Sequence, residues 1–306
     1  MGAVCLPQRR FARSRPADSD ASRGERREKT TWSPAGSPGE RVRGHVPGLA
    51  DGPVRGPGRC QTGGRGRTVD RRFRRFPSQF VEAALGSGRR GRLRLRMKAR
   101  GEELDVFYGK GSSPPSCDNC PSEGGGQFYT DFRSIGRDDL ADARTLHLSY
   151  RVRFPSDWDF GAKGGKLPGL YGGPPGHSSG GEHGDAWSTR YMWRVRGGES
   201  QATVYVYDPS QGGGYGEDVG LGAWSWQADG GWHTVEQAVD RDSGTITVFY
   251  DDREVMREQG IHQISGIPFS GIFFSTFFGG HDTSWGPGRD VHAQFRDFRV
   301  SEDELH

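Results

Sequence analysis

Residues 145–154, Thr-Leu-His-Leu-Ser-Tyr-Arg-Val-Arg-Phe, decide the fold class. Leu146, Leu148, Tyr150, Val152 and Phe154 fall on one face of this stretch. His147, Ser149, Arg151 and Arg153 fall on the other. A two-residue period belongs to a strand, because successive side chains leave a pleated backbone on opposite sides. Apolar residues on one face and polar ones on the other predict a half-buried antiparallel strand.

Working outward, similar apolar runs or alternations occur at 93–97, 126–132, 188–195, 202–207, 232–239, 245–251, 271–278 and 292–300. Gly and Pro clusters separate them. Only 80–85 and 301–305 read as briefly helical. Some nine strands without interleaved helices predict an all-β chain, an antiparallel β-sandwich or jelly roll. Asp240-Arg-Asp-Ser-Gly244 has hairpin-turn chemistry, with Gly available for positive φ. Ile272-Phe-Phe-Ser-Thr-Phe-Phe278 is apolar on both faces, as a strand covered on both sides would be.

Charge divides the 306 residues in two. Residues 1–75 hold 18 Lys+Arg against 7 Asp+Glu, a net of +11, while the whole chain carries only +3, so residues 76–306 are acidic at −8. The first segment is Arg/Gly/Pro-rich and lacks a periodic apolar pattern. It therefore reads as a disordered tail, or as an upstream segment translated from a wrongly chosen start. Its few aromatics do not favour nucleic-acid binding. Residues 76–306 are expected to form one β-domain.

No stretch approaches the ~18 apolar residues needed to cross a bilayer, and no signal peptide is readable. No membrane partner is expected. Cys117-Asp-Asn-Cys120 is a lone CxxC, which reads as a small loop disulfide or as free thiols. A zinc site would need two further ligands at matching spacing. No metal and no cofactor are expected.

Three segments carry chemistry. The first is Lys163-Gly-Gly-Lys166-Leu-Pro-Gly-Leu-Tyr171-Gly-Gly. It is followed by Trp187-Ser188-Thr-Arg190-Tyr-Met-Trp193-Arg194 and by Val204-Tyr205-Val-Tyr207. By alternation Ser188 and Arg190 share a face, as do Tyr205 and Tyr207. With Gln127-Phe-Tyr129 before them and Phe274-Ser-Thr-Phe-Phe-Gly-Gly280 and Trp285 after, these segments resemble polysaccharide lyase family 14, the alginate and glucuronate lyase-like enzymes. The resemblance runs from about Leu93 to Val300.

That resemblance implies a concanavalin-like jelly roll whose concave sheet binds a polyuronate, such as alginate or glucuronan, and cleaves it by β-elimination. It implies catalytic roles for Lys166, Ser188, Arg190, Tyr205 and Tyr207. The 22 residues from Lys166 to Ser188 match the family's spacing and favour Lys166 over Lys163. It further implies an acidic polysaccharide as partner, a monomer, and secretion.

The chemistry suits these residue types. Removing the C-5 proton of a uronate adds charge beside its carboxylate, so a donor aimed at that carboxylate stabilises the state that forms. Arg190 offers a planar fork for it. Lys166, Tyr205 and Tyr207 all remain possible bases. A tyrosine beside Lys and Arg is expected to be pushed toward phenolate. Ser188 is expected to orient substrate or its neighbours. Arg194, on the face of Arg190, could meet a second uronate. Lys163, Gln127 and Trp285 are further substrate-contact candidates, with Trp285 stacking on a sugar, whereas Trp193 is expected in the core. Residues 163–196 carry a local net of +3, despite the acidic domain, and His177 and His183 are placed on a Gly-rich loop.

Two rivals remain. One is a non-catalytic carbohydrate-binding module of the same sandwich fold. The other is a glycoside hydrolase, which would need two carboxylates facing one groove. Glu236 and Asp251-Asp252 read as surface and turn instead.

Overall fold

The structure is a computed structural model that describes residues 96–306, apart from 115–116, 118, 180–183, 212–213 and 281. The 1–75 tail, the 80–85 helix, His183 and most of the 93–97 strand lie outside the described residues.

Thirteen strands form among the described residues: β1 (Met97–Arg100), β2 (Glu103–Tyr108), β3 (Gly126–Tyr129), β4 (Thr145–Arg153), β5 (Gly164–Gly172), β6 (Trp187–Arg196), β7 (Glu199–Tyr207), β8 (Glu217–Val219), β9 (His233–Asp240), β10 (Thr245–Tyr250), β11 (Arg253–Gln259), β12 (Phe269–Phe278) and β13 (Val291–Ser301). The short helix α1 (Asp138–Asp142) precedes β4. The strands pair antiparallel into a seven-stranded sheet, β1-β2-β13-β4-β9-β10-β11, and a six-stranded sheet, β3-β12-β5-β6-β7-β8. This is the expected antiparallel β-sandwich.

The core lies between the sheets. Leu146, Leu148, Tyr150 and Val152 of β4 project into it, as do Trp187, Tyr191 and Trp193 of β6 and Phe274 and Phe278 of β12. Burying this much aromatic surface is the main stabilising term. Two of the polar groups that enter the core find partners across it. Thr189 Oγ1 donates to Gln237 Oε1 at 2.5 Å, and the Tyr150 hydroxyl donates to the Pro168 carbonyl at 3.2 Å.

The turns follow their sequence chemistry. Gly244 closes the β9–β10 hairpin at φ 69°, while the Asp240 carboxylate accepts from the amides of Asp242 and Ser243. The β6–β7 hairpin turns on Gly197 and Gly198, at φ 60° and 85°, the conformation a two-residue loop needs.

Strand β5 is buried from end to end. Its Pro168 coincides with a register shift against β6 between Leu167 and Gly169, where a missing ladder donor is tolerated. Its glycines admit neighbours: a Cβ on Gly165 would stand 2.1 Å from the Trp193 ring, and one on Gly169 2.2 Å from the Thr189 carbonyl oxygen.

Several expectations are corrected. The 126–132 strand stops at Tyr129, because the Asp131 carboxylate accepts from the Ser134 amide and starts a 3-10 turn over Arg133–Ile135. Residues 301–305 are not helical: Ser301 ends β13 and 302–303 form a bend. The outer face of β4 is not open to water, for His147 and Ser149 are buried. Glu236, expected at the surface, is 1% exposed. Chain-terminal residues reach this spot: the Leu305 amide donates to Glu236 Oε1, and the His306 ring stacks on Phe249 at 4.0 Å. Strands β2, β5, β8 and β11 were not expected. The 251–252 turn is present, with both aspartates at positive φ.

Candidate active site

The face of the six-stranded sheet turned away from the core carries the residues that the sequence singles out. Register places them. Lys166 of β5 lies beside Met192 of β6, Gly169 beside Arg190, and Tyr171 beside Ser188. On the other side of β6, Arg190 faces Tyr205 and Ser188 faces Tyr207. Residues 188, 190, 192 and 194 therefore share a face with 205 and 207, because paired residues project together. Lys166, Arg190, Tyr205 and Tyr207 form one cluster.

Arg190 is only 2% exposed. Its Cζ sits 4.4 Å from the Phe273 ring centroid and 5.5 Å from that of Tyr207, so aromatic rings hold the guanidinium plane. Nη1 donates to Ser275 Oγ at 3.0 Å, while Nε is buried without an acceptor among the described residues. The neighbouring Tyr129 ring stacks on Phe273 at 4.1 Å, and its hydroxyl is likewise buried and unpartnered. The glycine at 169 leaves the room that lets Arg190 reach β12. Burial pulls the Arg190 pKa down, and Tyr207, Tyr129 and Tyr205 act against it.

Lys166 is 8% exposed and touches no carboxylate among the described residues. Its Nζ donates to Met192 Sδ at 2.7 Å, a weak acceptor, and stands 3.1 Å from the Tyr205 ring centroid. Burial drives its pKa well below the ordinary lysine value, and the charges of Arg190 and Arg194 push it the same way. The amine is thus available to take a proton.

Tyr205 corrects one expectation. Adjacent cations were to push a phenol toward its anion, but burial, with Tyr207 beside it, raises the Tyr205 pKa and outweighs Arg194. Tyr205 keeps its proton. Its ring meets that of Tyr207 edge-on at 5.4 Å.

The other candidates scatter more. Ser188 is fully buried and donates to the Ser178 carbonyl at 2.6 Å, so it ties the loop at Ser178 to β6. Arg194 gives its Nε to Asp218 of β8 at 3.0 and 3.1 Å, and its Cζ lies 5.1 Å from the Tyr205 ring. Lys163 is exposed and donates to Ser284 Oγ at 2.6 Å, 5.3 Å from the Trp285 ring. Trp285 is half-buried over Gly280, where a Cβ would stand 2.0 Å from its indole nitrogen. Gln127, exposed on β3, pairs in register with Ser275 and so continues the row that leads to Arg190. Trp193 lies in the core, as expected. His177 contacts Asp185 at 3.0 Å. Cys117 and Cys120 are joined as a disulfide, which resolves the two readings of that motif.

Sequence reasoning missed Phe273, Ser275, Met192 and Asp218. Two-residue periodicity does place Met192 on the Arg190 face. The Ile272–Phe278 string contains the clamp, but nothing in it reveals which side chain touches arginine. Asp218 sits on a three-residue edge strand too short to read.

The polysaccharide lyase 14 family model matches residues 96–298. Among solved structures, the marine PL-14 alginate lyase from Aplysia kurodai is 25% identical over 65% of this chain and 82% of its own, with a TM-score of 0.50. The alginate lyase vAL-1 from Chlorella virus is 21% identical over 67% and 86%, with a TM-score of 0.53. A mutant of the alginate lyase Aly36B in complex with alginate tetrasaccharide is 19% identical over 69% and 85%, also at 0.53. At the latter two identities the likeness concerns the fold. No curated protein matches the chain.

Proposed function

The chain belongs to polysaccharide lyase family 14, and we propose that it cleaves an acidic polysaccharide of alginate or glucuronan type by β-elimination. One observation carries this reading. A buried lysine with no carboxylate against it among the described residues, Lys166, lies on the ring of Tyr205, while Arg190 beside them has a buried Nε with no acceptor among those residues. Such groups cost stability unless function requires them.

Each group has a part in the elimination. Arg190 meets the uronate carboxylate at the cleaved bond, and its aromatic clamp fixes the fork before substrate arrives. Charge that develops on that carboxylate is then stabilised without reorganisation. Lys166, whose neutral form burial favours, takes the C-5 proton. The electron pair of that bond becomes the C4–C5 double bond, and the bond from C-4 to the bridging oxygen breaks. Tyr205, kept protonated by burial, gives its proton to the departing oxygen. Tyr207 borders both. Ser188 acts indirectly, by holding its loop.

Rival readings fit less well. The carboxylate in contact with this cluster is Asp218, already paired with Arg194, whereas hydrolysis needs two working carboxyl groups. A non-catalytic module would gain nothing from an unpaired buried lysine. The Cys117–Cys120 disulfide supports an oxidising, extracellular setting.

The test is incubation with polymannuronate, polyguluronate and polyglucuronate while following the ultraviolet absorbance of an unsaturated uronate. Product absorbance that Lys166→Met abolishes supports the proposal. New reducing ends without the chromophore would show hydrolysis. Binding without products would show a module.

A further inference from the structure

The carboxylate nearest the cluster is out of place on a surface meant for a polyanion. Asp218 projects from edge strand β8, directly across from Tyr205 in register. It accepts from Arg194 Nε through both oxygens, at 3.0 and 3.1 Å, with the two side chains 22% and 18% exposed. Only one edge of the guanidinium is engaged in this way. Among the described residues no hydrogen bond takes Nη1 or Nη2 of Arg194. Its Cζ lies 5.1 Å from the Tyr205 ring, whose centroid is also 3.1 Å from Lys166 Nζ. The tyrosine ring thus meets both the Arg194 guanidinium and the Lys166 amine, and the guanidinium is tethered by an anion.

We propose that Asp218 is a positioning residue of the elimination site: it anchors Arg194 against Tyr205 and sets the net charge that Lys166 and Tyr205 experience. This inference rests on the elimination reading given above. The groups that face Lys166 are few. Arg190 and Arg194 come from β6, Tyr205 and Tyr207 from β7, and Asp218 from β8. Lys163, just before Lys166's strand, has its ammonium on Ser284, while Phe277 and Met192 beside Lys166 are uncharged. Asp218 is therefore the anion set against two arginines. It favours the ammonium form of Lys166 and the neutral form of Tyr205, whereas Arg194 acts in the opposite sense on both.

The experiment compares Asp218→Asn and Arg194→Gln in the full chain. Both kcat against pH and the titration of isotopically labelled Lys166 by NMR are recorded. In D218N the loss of the anion should move the acidic limb of kcat, and the Lys166 midpoint, to lower pH by on the order of half a unit. In R194Q the loss of the cation should move both to higher pH. A residue that merely tied down the sheet edge would change thermal stability and leave both midpoints in place. That result, or shifts of one sign in both variants, overturns the proposal. Should the wild-type chain eliminate no polyuronate, the elimination reading fails by itself. The NMR midpoints still decide the electrostatic role of Asp218.

Discussion

Arg190 lies over Phe273, with its guanidinium carbon 4.4 Å from the ring centroid and one terminal nitrogen bonded to Ser275, two residues further along the same strand. Strand β12 thus holds the cation that β6 supplies, across the glycine at 169. This geometry separates shape from charge. Arg190→Lys keeps the charge but loses the planar fork that aromatic stacking and two-point carboxylate binding require. The loss should lower kcat by about 10²–10³-fold, the effect of removing one preorganised donor, with the circular dichroism spectrum unchanged. Ser275→Ala should cost less activity but about 1–3 kcal/mol of stability, because a buried donor loses its acceptor.

Lys166→Met should abolish elimination and stabilise the fold. Burial depresses the lysine pKa in the folded state, so near neutral pH the unfolded chain binds more protons than the folded one. Stability then rises with pH up to the ordinary lysine range, and falls as acid forces a proton onto the buried amine. Methionine removes that penalty, which is worth about 1.4 kcal/mol for each unit of depression. Melting curves at several pH values check this. K166M should melt higher than wild type, with the gain larger at lower pH and fading toward pH 10.

The pH–rate profile should be lopsided. Activity rises as Lys166 loses its proton, at a pH well below the ordinary lysine value, and it persists into alkaline solution because the Tyr205 proton is held by burial. A fall only above about pH 10, where an unperturbed tyrosine would already be ionising, is the expected outcome. A fall near neutrality would show that another group supplies the acid. Tyr205→Phe should lose the activity itself while Lys166 still titrates low.

How much of this was legible depends on what two-residue alternation can carry. It placed β4, β6, β9, β10, β12 and β13 within two residues and β7 within three. It also set Ser188 with Arg190, and Tyr205 with Tyr207, on shared faces. It failed at β5, where Pro168 and four glycines in nine residues argue against a central strand. Those residues are there because Trp193 and the Thr189 carbonyl press against the backbone, a tertiary cause that the local sequence does not announce. It also overestimated the effect of nearby charge on Tyr205, because burial is not readable one residue at a time. The Arg190 clamp escaped notice for the same reason: its partner strand lies some eighty residues further along the chain.

Gly169→Ala tests the close approach of β5 to β6. An added Cβ would stand 2.2 Å from the Thr189 carbonyl oxygen and 2.6 Å from Arg190 Cα, both of them backbone atoms that no rotamer change can move aside. Overpacking of this kind costs about 1–3 kcal/mol. Because the strain falls on Arg190's own backbone, G169A should lose kcat out of proportion to its lower melting temperature. Steady-state kinetics on the folded fraction separates the two effects.

Glu236 sits on the opposite sheet, and its prediction concerns stability alone. The side chain is 1% exposed, with Oε1 2.7 Å from His147 Nδ1 and accepting from the Leu305 amide at 3.2 Å. His306 Nδ1 approaches Oε2 at 3.7 Å. Alternation puts Glu236 on the outward face of β9, and the final residues then cover it, so a side chain that reads as solvated is enclosed. Removing Glu236 leaves the buried His147 ring and the Leu305 amide without their shared partner, at a cost of about 1–3 kcal/mol for a buried group left unsatisfied. Glu236→Ala should therefore lower the denaturant midpoint and release residues 302–306 to hydrogen exchange. Replacing both members, as in His147→Leu with Glu236→Leu, should recover much of the loss, since an apolar pair leaves no polar side chain unmet. Neither change should alter kcat of the folded protein, because the pair faces away from the six-stranded sheet. If the double replacement proves as unstable as the single one, the Leu305 amide rather than the histidine is the partner that matters.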